Sequence, residues 1–426
     1  MTARYRVRWL ELLLLVVSGG IQVLGFVLLS VAQHRHLVTS DLRYPVVFIV
    51  STIALSLWLG RAAPGADQFL LPVVTLLTGV GILMVTRLDS GLGHRQVLWT
   101  LAGELAIAIV LALPRSVTQL RLYKYTWASI GLLLIVLTIL GGTDINGSGY
   151  RRWIGFHGVY FQPVELLKIL IAVFFAAYLD EKHELLASAR IRLKMIRLPP
   201  FQYLAPLVLV WGLSLALLVK QNDLGSALLF LGIFLAMIYV GTARAVYPVT
   251  GIAMFVVGAI GAFHLFPHVR DRTEVWLNPF AHSSTTGFQL VQGLIALSSG
   301  GIGGQGLGLG MPYKVPVVTT DFILAAIGEE LGLAGVVCLL ALLLFLVFRG
   351  LTIGIGSEDG FQKLLATGLV ATIAIQTIVI VGGTTRLMPL TGVPLPFLSY
   401  GGSSALADFL MIGLLLKISA EAGTVP

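Results

Sequence analysis

Charge is scarce in this chain. Asp, Glu, Lys and Arg make up 11% of its 426 residues, against about a quarter in soluble domains. Hydrophobic residues make up 57%, and the mean hydropathy is +0.93. These figures exclude an ordinary soluble enzyme, a disordered chain and a nucleic-acid module. Cysteine is almost missing too. The single Cys338 lies in an apolar run, which excludes an intrachain disulfide and any cysteine-based metal cluster. The eight histidines show no metal-ligand spacing, and neither an H-E-x-x-H helix nor a P-loop occurs. No repeat of fixed period is visible, and no stretch is large enough to fold alone as a soluble domain. A cleavable signal peptide is not expected. Arg4, Arg6 and Arg8 give a basic flank, but the apolar run 9–32 is too long for a signal core and no small-x-small site follows.

What is there is apolar sequence in blocks. Twelve hydrophobic segments are expected at about 9–32, 45–63, 68–87, 96–114, 123–141, 163–180, 201–219, 224–241, 245–266, 321–348, 362–383 and 402–419. The split between the eighth and ninth is the least marked. A spanning helix needs about 20 apolar residues, so the chain reads as an all-α polytopic membrane protein with twelve spans. The net charge of +8 then orients loops rather than binding nucleic acid. Loop 181–200 carries Lys182, Arg190, Arg192, Lys194 and Arg197 and is assigned to the cytoplasm, which places both termini there. Three polar loops fall on the outer face: 142–162, 267–320 and 384–401. The middle one is rich in Gly, Ser and Thr, and loops of such length are usually functional. The last contains Pro389, Pro394 and Pro396, so it is not regular helix; if it dips into the membrane it must line a protected cavity.

Ionisable residues inside apolar segments are functional candidates by default. Glu165 and Lys168 follow Pro163, which suits a first helical turn, and their i, i+3 spacing puts them on one face. They read equally as a self-neutralising pair or as the lining of a polar cavity. Asp223 and Asp321 each precede an apolar run, where Asp serves as an N-cap. Glu329 and Glu330 are adjacent carboxylates in an apolar segment, which calls for a proton or a partner such as Arg386. Glu11, Glu104 and Asp408 read as buried structural contacts or interfacial groups. The glycine run 300–310 offers backbone amides that could approach a diphosphate, or it is simply a flexible loop.

Several runs together strongly resemble one family. They are Arg152-Trp153-Ile154, then Phe161-Gln162-Pro163-x-Glu165-Leu166-x-Lys168, Asp223-Leu224-Gly225 and Gly306-Leu307-Gly308. Further along come Thr320-Asp321-Phe322 with Gly328-Glu329-Glu330-Leu331-Gly332, and the specific run from Pro389 to Ser404. The resemblance is to the SEDS family (shape, elongation, division and sporulation) of RodA, FtsW and SpoVE proteins, and it covers roughly residues 68 to 419. It implies a ten-helix core, 68–426, preceded by two N-terminal helices in 1–67. It also implies a peptidoglycan glycosyltransferase that polymerises lipid II into a nascent glycan strand in cell elongation or division. The acceptor hydroxyl attacks the donor anomeric carbon, and undecaprenyl diphosphate leaves with inversion. By resemblance, Arg152, Glu165, Lys168, Asp223, Asp321, Ser399 and Tyr400 bind substrate. The implied partner is a class B penicillin-binding protein. No cofactor is called for, and a divalent cation is left open.

One departure matters. The family's long outer loop carries a carboxylate proposed as catalytic, between a Trp-Leu-x-Pro-type and a Gly-Tyr-Gln-type segment. Here those flanks are Trp276-Leu277-Asn278-Pro279 and Gly287-Phe288-Gln289, and the expected Asp is His282. Three readings follow. His282 serves as the base, since an imidazole titrates near neutrality. Alternatively, Asp271 or Glu274 takes over, although salt bridging to Arg270 and Arg272 would explain those acids equally well. Or the chain is a weak or non-catalytic scaffold for its partner. A lipid II flippase is the rival outside the enzyme class, and the internal inverted repeats common in transporters are not seen.

Overall fold

The computed structural model describes residues 7–33, 39–145, 147, 149–156, 158–187, 191–193, 196–198 and 201–423. Helices account for most of them. The N-terminal set is α1 (Trp9–Ala32), α2 (Thr39–Ala62), α3 (Leu70–Leu88), α4 (Ser90–Ala112) and α5 (Lys124–Gly141). The short strands β1 (Ile154–Phe156) and β2 (Val159–Phe161) pair antiparallel and lead into α6 (Pro163–Ala187). A second small ladder, β3 (Ile191–Leu193) with β4 (Ile196–Leu198), precedes α7 (Phe201–Lys220), α8 (Leu224–Thr242) and α9 (Val246–Leu265). The C-terminal set is α10 (Pro267–Leu277), α11 (Phe288–Gly300), α12 (Ile323–Gly356), α13 (Gly360–Thr384) and α14 (Gly402–Glu421).

Among the described residues, eleven helices are long and apolar enough to cross a membrane. α6 is as long as these, but Glu165 and Lys168 lie in its first two turns. The chain is therefore a multi-pass, all-α membrane protein, and each of the twelve expected segments coincides with a helix. The narrow gap after 241 is a true break. Ala243 adopts a left-handed φ of 53° at the end of α8 and stops it.

Four expectations need correction. The segment 267–320 is not a plain loop, because it contains α10 and α11. Pro267 supplies a pre-set first turn, and Leu290, Gly293, Ala296 and Gly300 recur at helical spacing on the buried face of α11. The segment 142–162 holds the β1–β2 hairpin and a bridge between Thr143 and Trp153. The basic segment 181–200 begins as the last turns of α6 and continues as the β3–β4 ladder, with Arg190 and Lys194 outside the described residues. The segment expected at 321–348 is interrupted at Gly332, whose φ of 69° and ψ of −173° divide α12 into a short first stretch and a long second one. A side chain there would fail twice over, since φ is left-handed and an added Cβ would lie 2.3 Å from the Gly304 nitrogen.

Two compact units make up the chain. The first is Met1–Pro114, Asp271–Arg349 and Gln376–Pro426; the second is Arg115–Arg270 and Gly350–Ile375. In the first unit α14 lies along α4, where Gly103 faces the Phe409 ring and Gly413 faces Ile107. Its isolated acids are buried and hydrogen-bonded. Glu11 pairs with Arg8 (3.1 and 2.5 Å) and accepts the Ser56 hydroxyl (2.5 Å). Glu104 accepts the Thr52 hydroxyl, and Asp408 accepts the Phe397 N–H at 3.4 Å. Arg8 also donates to the carbonyls of Ala63 and Asp67. The Asp67 side chain caps α3 through the N–H groups of Phe69 and Leu70 and pairs with Arg349. The Asp67 N–H donates to Ser419 Oγ at 2.7 Å. In the second unit α6 is enclosed by α5, α7 and α8. Phe174, Phe175, Tyr178 and Phe234 form an aromatic cluster there, and Trp211 stacks on Phe234 at 5.0 Å.

Candidate functional site

In the second unit the β1–β2 hairpin links two groups of candidates. Arg152 precedes it and donates from Nε to the Gln221 carbonyl and from Nη2 to the Asn222 carbonyl, both at 3.0 Å. The amide of Gln221 returns a bond to the Arg151 carbonyl at 2.9 Å. This clasp satisfies carbonyls freed at the end of α7. Asn222 turns the chain at a φ of 56°, and Asp223 then caps α8 through the Ser226 N–H (3.0 Å) and hydroxyl (2.8 Å). Arg152 thus holds the residue directly before Asp223.

Beyond the hairpin, α6 presents Glu165 and Lys168. Their side chains meet at 2.7 Å and are almost entirely buried. Helical spacing makes the contact, and burial makes it obligatory, because either charge alone would be left without water. The two side chains neutralise each other at this distance.

In the first unit the segment 389–401 is a non-helical loop, buried over residues 395–399. Side chains satisfy several of its backbone groups, as buried backbone requires. Gln376 donates to the Pro394 carbonyl at 2.8 Å, and Gln96 donates to the Ser399 carbonyl at 3.3 Å. The Ser399 hydroxyl accepts the Leu395 N–H and donates to the Thr320 carbonyl. The Tyr400 N–H donates to the Thr319 carbonyl at 2.8 Å. Phe397 sits at a φ of 64°, an uncommon conformation for a bulky residue. Its carbonyl and that of Leu398 rest on Gly81, where a Cβ would come within 2.8 Å of both. Ser399, Tyr400 and Asp321 are therefore brought together. Asp321 is not the cap expected of it: the Phe322 carbonyl opens α12 by accepting the N–H groups of Ala325 and Ala326. Burial pushes the Asp321 carboxyl above its ordinary range, against the opposing effects of the Thr320 hydroxyl and the Arg272 charge.

His282 ends a short 3-10 turn, Pro279–His282, and is half-buried. Its carbonyl accepts the N–H groups of Thr285 and Gly287, both at 3.0 Å, which fixes the turn directly before α11. Asp271 and Glu274 are exposed on α10. Arg386 braces the end of α10. It donates to the carbonyls of Trp276 (2.9 Å) and Leu277 (2.5 Å), and the Trp276 indole donates back to the Arg386 carbonyl at 3.1 Å.

Arg386 is consequently not the partner of the adjacent glutamates. Arg87 approaches Glu330 at 3.4 Å instead. The glycine run is neither an open cradle nor a loose loop. The amides of Gln305 and Gly306 donate to the Glu329 and Glu330 carbonyls, and those of Gly308 and Met311 donate to the Glu330 and Glu329 carboxylates. Among the described residues, no group of three or more His, Cys, Asp or Glu side chains is placed to hold a metal ion.

These features coincide with a known family. Residues 66–424 match the family model for FtsW, RodA and SpoVE, described as a cell cycle protein. The chain belongs to that family. It is 41% identical over 420 residues to a protein of Mycobacterium tuberculosis (strain ATCC 25618 / H37Rv) named peptidoglycan glycosyltransferase RodA, covering 96% of this chain and 90% of that one. It is 34% identical over 376 residues to a probable peptidoglycan glycosyltransferase FtsW of Geobacter metallireducens, covering 84% and 96% respectively. One structural neighbour comes from a study of polymerization and crosslinking by a peptidoglycan synthase complex. It has a TM-score of 0.71 at 26% identity and covers 84% of this chain and 98% of that one. A second is the rod shape determining protein RodA of Thermus thermophilus, with a TM-score of 0.58 at 26% identity, covering 83% and 96%.

Sequence reasoning missed Gln96, Gln376, Arg87 and the bracing role of Arg386. A signal existed for the two glutamines. Amides inside apolar helices need partners, and a proline-rich loop with no ladder of its own needs donors.

Proposed function

We propose that this family member polymerises lipid II. It joins the disaccharide units into a glycan strand at the outer face of the plasma membrane and releases undecaprenyl diphosphate, with both termini in the cytoplasm. The observation that carries this reading is the non-helical loop 389–401, buried over 395–399 and tied through Ser399 and Tyr400 to the turn that holds Asp321. A rigid non-helical surface of this kind within apolar helices is what a lipid-linked sugar requires beside it. Identity of 41% along nearly the whole length of proteins named for this activity supports the same reading.

In the reaction the acceptor hydroxyl oxygen forms a bond to the donor anomeric carbon. The bond from that carbon to the diphosphate oxygen breaks, and the leaving group takes the electron pair, so the configuration inverts. His282 accepts the hydroxyl proton. The 3-10 turn that fixes its backbone and its half-buried position favour it over Asp271 and Glu274, which are solvent-facing on α10. Arg152 and Lys168 are the cations assigned to the departing diphosphate, with Glu165 and Asp223 balancing their charge. A class B penicillin-binding protein crosslinks the product, in keeping with the synthase complex among the structural neighbours.

The test is polymerisation of labelled lipid II by the purified protein, with and without such a partner. His282→Ala should lose about 10²- to 10⁴-fold, the usual worth of a general base, and His282→Asp should retain activity. Full activity in His282→Ala with loss in Asp271→Ala or Glu274→Ala would transfer the role upstream. An inactive parent protein in the presence of an active partner would favour the scaffold reading.

A further inference from the structure

The break at Gly332 frees backbone groups on both sides of it, and the glycine run takes up four of them. Gln305 and Gly306 donate to the carbonyls of Glu329 and Glu330 (2.9 and 3.0 Å). Leu333 and Ala334 donate to the carbonyls of Gly301 and Ile302 (2.9 and 3.1 Å). Residues 301–306 and 329–334 are thereby laced together. The two carboxylates before the break grip the rest of the run: Glu330 Oε2 accepts the Gly308 N–H at 2.9 Å, and Glu329 Oε1 accepts the Met311 N–H at 2.7 Å.

Arg87, at the end of α3, closes the arrangement. It donates to the carbonyls of Gly308 (3.1 Å) and Gly310 (3.3 Å) and faces Glu330 Oε1 at 3.4 Å, too long for a good hydrogen bond but within ion-pair reach. The Glu330 side chain is fully buried and that of Arg87 is 15% exposed. Removing the arginine alone would leave the carboxylate without a cation in an apolar setting.

The laced segment has a long arm. α11 ends where it begins, and α11 lies against the first stretch of α12. An added Cβ on Gly293 would meet the Phe322 ring at 2.3 Å, and one on Gly300 would meet the Gly328 carbonyl oxygen at 1.9 Å. Both positions advance in step, so the two helical stretches run side by side in the same direction. The opposite end of α11 is the turn containing His282, and the opposite end of the first stretch of α12 is Asp321.

We propose that Arg87 and Glu330 are positioning residues of the glycosyl transfer, setting the His282 turn through α11 from the far end of that helix. The catalytic half of this statement rests on the polymerase reading above; the mechanical half does not. A rigid helix held at both ends places its terminal turn to within the tolerance that catalysis needs, and a displacement of about 1 Å at a reacting group costs on the order of 100-fold.

The experiment uses the full-length protein with Cys338→Ser and a spin label at Ser284→Cys, beside His282, or at Leu122→Cys in the other unit as a control. Arg87→Met should loosen the label at 284 and leave that at 122 unchanged. It should lower kcat for lipid II by about tenfold or more with KM within about twofold. Adding Glu330→Gln to Arg87→Met removes the stranded charge and should restore both the spectrum and most of the rate. An unchanged spectrum at 284, loosening at both positions, or a KM effect without a kcat effect would overturn the proposal. If the parent protein makes no polymer, the spectra still decide whether Arg87 governs the turn, and only the polymerase reading fails.

Discussion

The Ser399 hydroxyl donates to the Thr320 carbonyl at 2.5 Å while accepting the Leu395 N–H at 2.9 Å. One side chain thus closes its own loop and fastens that loop to the turn before α12. Ser399→Ala strands a buried N–H and a buried carbonyl together. The variant should lose about 1–3 kcal/mol of stability and a larger fraction of its polymerising activity than of its thermal resistance. Parallel thermal unfolding and lipid II assays on the detergent-solubilised protein would check this. Wild-type activity at lowered stability would confine Ser399 to a structural role.

Asp321 ties stability to pH. Burial holds its carboxyl above the ordinary value of 3.8, so the folded protein keeps that proton over a range where the unfolded chain has released it. Its contribution is complete below about pH 3.8 and is lost as pH rises through the raised folded-state value. Asp321→Asn abolishes the titration. The unfolding temperature of the variant, followed upward from about pH 4, should therefore fall less steeply than that of the parent protein. Parallel curves would mean that the carboxyl is not held protonated by the fold.

The Glu165–Lys168 pair calls for a double-mutant cycle. Lys168→Met alone removes the cation beside the buried Glu165 carboxylate and should cost about 3–5 kcal/mol; Glu165→Gln is the other single variant of the cycle. The double variant should recover most of that stability. If the pair also handles the diphosphate, the recovered protein should remain inactive. Recovery of activity along with stability would identify the pair as structural only.

Asp223 separates capping from chemistry. Asp223→Asn retains a good N-cap, whereas Asp223→Ala should cost about 0.5–2 kcal/mol. A stable but inactive Asp223→Asn protein would show that the negative charge acts on substrate. Equal activity in Asp223→Asn and the parent protein would leave only the cap. Thermal unfolding and a polymerisation assay on the same preparations make the distinction.

Much of the fold was legible because lipid imposes a simple rule. A span must be long and apolar, and twelve such blocks stand out from 9–32 to 402–419. The cap at Asp223 and the Glu165–Lys168 contact were also readable, since each depends on neighbours within a turn. What was not readable depends on distant partners. Arg386 and Arg87 are equivalent as letters near an acidic pair, and only the folded chain sends one to the carbonyls of Trp276 and Leu277 and the other to Glu330. The interruption at Gly332 was hidden because glycine is common in spanning helices. Its sign is positive φ together with the waiting carbonyls of Gly301 and Ile302.

The family model begins at residue 66, which invites treating α1 and α2 as a removable leader. The network at that boundary argues for the opposite handling. Arg8 reaches forward to Ala63 and Asp67, Glu11 to Ser56, and Asp67 to Arg349 and Ser419. A chimera joined at residue 66 would leave Arg8 to meet the carbonyl of a foreign residue 67, a position that in this chain is fixed from within the core by Arg349 and Ser419. Exchange of these helices between relatives should therefore succeed only when the incoming core holds the residue-67 carbonyl where Arg8 can reach it, so that the two pieces fit as lock and keeper.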